Sequence, residues 1–297
     1  MLGHYKDIAE NYLAIPVVTG RKSEGEKFPG ANQTYTFEAF MPDAKALQMG
    51  TSHLLNQSFA KAFDMSYQDK EGKLAHPWLT SWGLTTRTIG AAIMTHGDEK
   101  GLVLPPKIAP VQAVIIPIYK SDEDRDAVLK AAQDIKDSLD GVVRIKIDDN
   151  SHKSPGNKFF HWELKGVPFR IEIGPRDLKQ NQAVIASRLD SKKESIDLET
   201  LKKELPTKLE AFQKALFDKA QERLKKQWKK VKKLDDIIKM SEEHVSQTGF
   251  CGATECESAL KKHKLSIRCV LEDEKSEQSC FNCEQGSISD VVIARSY

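Results

Sequence analysis

The chain has 297 residues, of which 39% are hydrophobic and 30% charged, with a formal net charge of +2 at pH 7. At roughly 100–200 residues per domain, this length implies two or three domains with real cores, and the net charge is too small to argue for bulk nucleic-acid binding. The longest apolar runs, such as 113–118, fall far short of the ~20 residues of a membrane span, and the N-terminus lacks the apolar core of a signal peptide.

Residues 1–108 mix short strands and helices. Gln33–Phe40 alternates like a half-buried strand, and 44–49 reads as its antiparallel neighbour across a Met-Pro-Asp turn. The 84–96 segment has apolar residues at helical spacing, with Gly97 as its stop. From 109 the pattern changes. A near-continuous apolar strand at 111–118 precedes an amphipathic helix at 123–139 and a second strand at 142–147. Ser154-Pro155 reads as an N-cap followed by proline at the first helical position, and Gly166 ends that helix. Further strands are predicted at 168–173 and 183–189. Strands alternating with helices imply a small α/β domain with a mixed sheet over 109–206.

From Asp197 onward the pattern is helical. Pro206 interrupts it, Thr207 and Glu210 fit a capping box, and apolar residues from Leu209 to Ile238 mark one face of a long helix. Between Lys219 and Lys233 that helix carries eight basic residues against one acid, Glu222; acidic counterweights lie at Glu272, Asp273, Glu274 and Glu277. Such a stripe is a local electrostatic footprint. All five cysteines lie at or after Cys251. Cys251-x4-Cys256 and Cys280-x2-Cys283 can wrap one tetrahedral ion, and four thiolates select zinc. Cys269 falls in an alternating strand at 265–271 and reads as packing. The cysteine usage points to a reducing compartment, hence a cytoplasmic protein.

Four stretches carry the sharpest signals: Ile15-Pro-Val-Val-Thr-Gly-Arg-Lys-Ser-Glu-Gly-Glu-Lys-Phe-Pro-Gly-Ala31, Thr34-Tyr-Thr-Phe-Glu-Ala-Phe40, Ala46-Leu-Gln-Met-Gly-Thr-Ser-His53 and Ser81-Trp-Gly-Leu-Thr-Thr-Arg87. Together they resemble the prolyl-tRNA synthetases of the archaeal and eukaryotic type, a class II aminoacyl-tRNA synthetase family. The Gly-Leu-Thr-Thr-Arg stretch resembles the third signature motif of that class. The segment from Ser154 to Asp177 resembles the prolyl version of the class II anticodon-binding module, and the cysteine tail ending in Ser296-Tyr297 resembles the family's C-terminal zinc domain.

The resemblance implies an α+β and α/β chain in three parts. Residues 1–108 would be the C-terminal part of an antiparallel-sheet catalytic domain. Residues 109–206 would be the anticodon-binding domain, and 207–297 a basic helix with a small zinc domain. It implies ATP-dependent activation of proline to prolyl-adenylate and transfer to tRNA(Pro), with Mg2+ on the ATP. Arg87, Gln48 and Thr51 would be catalytic and, with Thr85, would bind ATP. His53, Phe28, Trp82 and Gly83 would line the proline pocket. Phe159, Glu163, Arg170, Arg176 and Asp177 would read the anticodon, and Cys251, Cys256, Cys280 and Cys283 would hold structural Zn2+. The whole enzyme is expected to be a homodimer.

Other readings of the same residues stand beside these. An arginine at a helix start is unfavourable beside the helix dipole, which favours function for Arg87, and guanidinium both stacks and forks onto phosphate. Phe28 and Trp82 could equally be core. From spacing alone Glu163 and Arg170 form a surface ion pair. Glu38 shares a strand face with Phe40 and is a weaker site candidate. Pro29 and Asn56 depart from the alanine and glycine usual in the family. The first two signature motifs of the class should precede Met1, so residues 1–297 alone are expected to lack proline-dependent ATP–pyrophosphate exchange. The competing reading is a non-catalytic tRNA-binding paralogue or fragment. An in-frame second-motif arginine upstream of Met1 would discriminate the two.

Overall fold

A computed structural model describes residues 1–271, 276 and 278–297. The acidic counterweights Glu272, Asp273, Glu274 and Glu277 lie outside the described residues. The chain divides into two compact units: residues 1–11, 15–94 and 221–297 form one, and 12–14 with 95–220 form the other. Three regions in the sequence therefore become two in space. The boundary drawn at 206/207 falls inside the helix Leu198–Gln227.

The first unit is built on a sheet of eight strands among the described residues. Their order is Trp228–Lys230, Val245–Phe250, Ser289–Ala294, Ser266–Leu271, Val17–Arg21, Gln33–Phe40, Ala46–Asn56 and Leu79–Leu84. The cysteine-bearing tail thus extends the sheet that the N-terminal motifs begin, through an antiparallel pairing of Arg21 with Val270. Alternation drives the Gln33–Phe40 and Ala46–Asn56 pair: Phe37 and Ala39 are fully buried on one face, and Thr34, Thr36 and Glu38 occupy the other. The turn between them closes through Met41 N–H to the Lys45 carbonyl at 2.9 Å. Cys269 is fully buried, as packing requires, and burial pushes its thiol up to about 12.

The second unit carries a five-stranded mixed sheet in the order Lys193–Asp197, Gln182–Ser187, Phe169–Ile173, Ala113–Pro117 and Ile145–Ile147. Ala113–Pro117 lies inside the sheet, next to its edge, and is parallel to both neighbours; all five of its residues are buried. That explains its unbroken apolar sequence. The helix Asp122–Ser138 covers the sheet with Val128, Ala132 and Ile135. Ser121 caps it by accepting from Asp124 N–H, and three acids in the first turn complement the dipole.

Two helical expectations change. Pro206 does not interrupt the helix, which runs unbroken through it. Leu201, Leu205, Leu209, Phe212 and Leu216 are all nearly fully buried in one core, and this packing outweighs the hydrogen bond that proline removes. Thr207 therefore caps nothing; its hydroxyl donates back to the Lys203 carbonyl. At the other end the helix stops at Gln227. There the Gln227 amide donates to the carbonyls of Met41 and Pro42 at 3.1 and 2.9 Å. Trp228–Lys230 then joins the sheet as a parallel edge strand, and Leu234–Met240 is a separate short helix. The apolar spacing from Leu209 to Ile238 spans three elements.

The junction between the tail and the first strand depends on Gly20. A Cβ there would collide with the Val270 carbonyl oxygen and sit 2.9 Å from Cys269 Cβ. Because a paired backbone carbonyl cannot move aside, Gly20→Ala is expected to cost at least the ~1–3 kcal/mol of ordinary overpacking. Urea unfolding followed by the tryptophans of the first unit measures it. An unchanged midpoint would contradict the close approach.

Candidate functional site

In the first unit, the strand Ala46–Asn56 brings three predicted residues to one face by a bulge. Gln48 is an odd number of positions from Thr51 and His53, so regular alternation would place it on the opposite face. The register shifts between Phe37/Gly50 and Glu38/Gln48, leaving Met49 as the extra residue. Gln48, Thr51 and His53 then stand opposite Glu38, Thr36 and Thr34, and all six share a face.

His53 is fixed at both ring nitrogens. Its Nε2 lies 2.9 Å from Thr51 Oγ1 and its Nδ1 3.0 Å from Thr34 Oγ1. Thr34 Oγ1 also accepts from Phe28 N–H at 3.1 Å, and the Phe28 ring packs 5.0 Å from the imidazole. Burial holds the His53 pKa below its usual 6.5, so the ring is neutral at pH 7. Phe28 is 46% exposed, an open apolar wall beside a fixed imidazole.

On the other side, Thr51 pairs with Gly83 and His53 with Ser81. Ser81 therefore belongs to the site face, and the sequence reading missed it together with Thr34; alternation from Gly83 and from Glu38 was the available signal. Trp82 pairs with Ser52 and so lies on the opposite face from His53. The register thus sets Trp82 and Gly83, expected together in one wall, on opposite faces. Thr85 follows the strand end, with its N–H on the Met49 carbonyl, and its hydroxyl accepts from Arg87 N–H at 3.0 Å. Arg87 is the exposed first residue of the helix Arg87–His96. Glu38 is fully buried, receiving Lys22 Nζ and the Arg268 guanidinium at 2.9 Å each.

In the second unit, Phe159 and Glu163 lie one turn apart on the helix Pro155–Leu164, whose N-terminus Ser154 caps by accepting from Asn157 N–H. They line a cavity of ≈ 290 Å³ with Arg170, Arg188 and Lys193. The Arg170 guanidinium stacks 4.2 Å from the Phe159 ring while Nε and Nη2 donate to Glu172 Oε1 at 3.0 and 2.8 Å. Lys193 binds the same carboxylate at 2.9 Å. Glu163 does not pair with Arg170; its partner is Lys100 at 3.3 Å. Arg188 is buried, clamped by Asp98, whose carboxyl the guanidinium pulls down to about 2. Arg176 and Asp177 lie elsewhere, lining a second cavity of ≈ 450 Å³ with Tyr119 and Lys120. Asp177 accepts from Gly174 N–H at 2.9 Å and so closes the turn before its own short helix.

The sulfur atoms of Cys251, Cys256, Cys280 and Cys283 all lie within 4.8 Å of one another. The Cys251–Cys256 and Cys251–Cys283 separations are 3.7 Å each. A tetrahedral zinc at ~2.3 Å from each sulfur needs edges of about 3.8 Å, so the donor set fits. Burial pushes the Cys256 thiol up to about 12. Burial also raises Cys280, but backbone N–H groups of Cys283, Asn282 and Cys251 outweigh it and bring that thiol down to about 7. A metal held by all four sulfurs would have no open coordination site, which is structural rather than catalytic geometry.

An anticodon-binding domain model matches residues 112–208, and a model of the prolyl-tRNA synthetase C-terminal region matches 234–297. The chain is 44% identical over its whole length to a proline–tRNA ligase of Alkaliphilus oremlandii and 46% identical to one of Ruminiclostridium cellulolyticum, covering 62% of each. It therefore spans about three fifths of the length of these curated relatives. A crystal structure of prolyl-tRNA synthetase from Cryptosporidium parvum, complexed with L-proline and AMP, is 39% identical, with a TM-score of 0.91 over 100% of this chain and 65% of that one. Among the described residues no helix is long and apolar enough to cross a membrane.

The cysteine geometry makes a direct prediction. Purified protein should contain about one zinc per chain by elemental analysis. Cys280→Ala should abolish it and expose the tail to protease while the second unit stays folded. A metal-free chain with a protected tail would refute this.

Proposed function

We infer, because this chain belongs to the prolyl-tRNA synthetase family, that it carries proline and ATP contacts and the anticodon reader of a proline–tRNA ligase. The single observation behind this reading is the bulge that sets Gln48, Thr51 and His53 on one face beside Phe28. Activation joins the proline carboxylate to the α-phosphorus of ATP and releases pyrophosphate. A terminal ribose hydroxyl of the tRNA then attacks the acyl carbon and AMP leaves. Neither step needs a protein nucleophile; each needs reactants held in line and charge on phosphorus stabilised.

Each residue has a role suited to its setting. Phe28, Gly83 and the neutral, doubly hydrogen-bonded His53 offer a rigid, mostly apolar wall to a pyrrolidine ring. Gln48 and Thr51 supply polar contacts to ATP along the same face. Arg87 presents a guanidinium at a helix N-terminus, where helix and side chain both favour phosphate. Thr85 acts by fixing that helix start. Mg2+ enters with the ATP phosphates.

In the second unit, the Phe159–Arg170 stack offers a platform for an unstacked anticodon base, and Glu163 an acceptor for a base amine. Arg188 supports the cavity wall instead of contacting RNA. Arg176 and Lys120 would reach a second nucleotide or its phosphate. The four cysteines would hold zinc as a staple, and thiolate ligands suit a reducing cytoplasm. The assembled enzyme would be a homodimer.

Two measurements test the reading. In the full-length gene product, Arg87→Ala is expected to lower proline-dependent ATP–pyrophosphate exchange by ~10²–10³; an unchanged rate would remove Arg87 from the site. tRNA(Pro) binding without any exchange by the unaltered gene product would favour a non-catalytic RNA binder.

For RNA, Glu163→Ala should weaken tRNA(Pro) and narrow its margin over tRNAs with other anticodons. Lys229→Ala with Lys230→Ala should weaken all tRNAs alike and flatten the salt dependence by roughly one to two in slope. Equal losses for every tRNA with both sets of changes would refute the division.

A further inference from the structure

The loop 23–27 is anchored at both ends on one residue. Lys22 N–H donates to the Thr34 carbonyl at 2.8 Å, and Phe28 N–H donates to Thr34 Oγ1 at 3.1 Å. Inside the loop, Ser23 is the hub. Its carbonyl accepts from Glu26 N–H at 3.2 Å and Lys27 N–H at 2.9 Å. Wherever Ser23 goes, the turn that delivers Phe28 to His53 follows.

Ser23 is itself held from the tail. Its hydroxyl donates to Glu257 Oε1, with both residues buried at 5% and 6% exposure. A hydroxyl on a buried carboxylate is a charge-assisted bond, which is worth more than a neutral one and costly to leave unmade. The approach is close on a second side. A Cβ on Gly25 would lie 2.8 Å from Glu257 Oε2, so any larger residue there would push the carboxylate aside. Glu257 follows Cys256 directly on the helix Thr254–Lys261. Consecutive helical residues point about 100° apart, so one side chain enters the cysteine cluster while the next enters the loop.

We propose that Glu257 is a positioning residue that ties the loop carrying Phe28 to the four-cysteine cluster, so that a metal on the cysteines fixes the shape of the proline pocket. The pocket consequence rests on the functional reading above; the mechanical tie does not. A metal that locks Cys256 locks the first turns of its helix. The Glu257 carboxylate then holds Ser23, and Ser23 holds the turn.

Hydrogen–deuterium exchange on the full chain, read on peptides covering 22–34 with 87–96 as the internal control, tests this. In zinc-loaded protein, Glu257→Ala should speed exchange at 24–28 at least tenfold while zinc content stays at about one per chain. Glu257→Gln, whose amide oxygen still accepts from Ser23, should restore most of the protection. Ser23→Ala leaves the zinc helix intact and should reproduce the loss even if Glu257→Ala folds poorly. Chelation should loosen the loop of the unaltered protein and add nothing further at 24–28 in Ser23→Ala. Zinc-loaded Ser23→Ala with exchange like the unaltered chain would overturn the proposal. If Ser23→Ala loosens the loop while millimolar proline with ATP never protects it in the unaltered full-length gene product, the tie stands and the proline-pocket reading falls.

Discussion

One buried carboxylate, that of Glu38, fixes the sheet on which the first site is built. It is fully buried and receives Lys22 Nζ, the Arg268 guanidinium and the Thr36 hydroxyl. Those partners come from the end of one strand, from the tail strand and from Glu38's own strand. Removing one member of such a buried cluster typically costs ~3–5 kcal/mol, because a charge is left unpaired in low dielectric. The same physics enforces register. A one-residue slip of Ser266–Leu271 would turn Arg268 to the other face and leave Glu38 with Lys22 as its one cation in this cluster. With register locked there, Gln48 stands opposite Glu38 and the bulge that aligns it with Thr51 and His53 is held in place.

Much of this was legible in the sequence, and the exceptions have physical causes. The Gln33–Phe40 hairpin, the apolar strand Ala113–Pro117 and the capped helix at 155 declare themselves because local pattern and tertiary burial agree. The end of the long helix does not. Trp228 and Val231 keep helical spacing, and only the distant strand Val245–Phe250 makes a strand the better solution for 228–230. The bulge at Met49 leaves no local mark either; it is visible only against the partner strand. Trp82 and Gly83 part company for a related reason: adjacent residues in a motif point to opposite faces once the segment is a strand. Lys193–Asp197, the edge of the second sheet, has no strand signal of its own in the sequence. Its exposed, charged residues carry no burial signal.

The second unit spends its charges on geometry before it offers any to a ligand. Glu172 binds both Arg170 and Lys193, Asp98 clamps Arg188, and Asp148 receives the Trp162 Nε1–H at 2.7 Å. The Asp98 carboxyl lies at about 2, so the stability it lends is complete above its ordinary value of 3.8 and is lost only as pH falls through about 2. The exposure of Asp98 limits the size of that term. What lies open on the cavity beside these pairs is the stacked Arg170–Phe159 pair and the half-buried Glu163. On the proposed reading, a platform whose cation is already paired would discriminate by shape and hydrogen bonding more than by raw charge.

The basic run from Lys219 to Lys233 illustrates how one feature can have two causes. Arg223 is partly buried, and its guanidinium pKa is lowered by that burial. Lys226 pairs with Glu222 at 3.0 Å and Lys233 with Glu284 at 3.1 Å. Lys229 and Lys230 lie on the outermost strand of the eight-stranded sheet, where lysine blocks edge-to-edge pairing with another chain. That role alone accounts for their position, with no RNA required. The two causes differ in their dependence on salt. Edge protection is a steric and desolvation penalty on a wrong partner, whereas phosphate binding is counterion release and weakens steeply as salt rises. A lysine serving both would change aggregation and RNA affinity together at low salt, and aggregation alone at high salt.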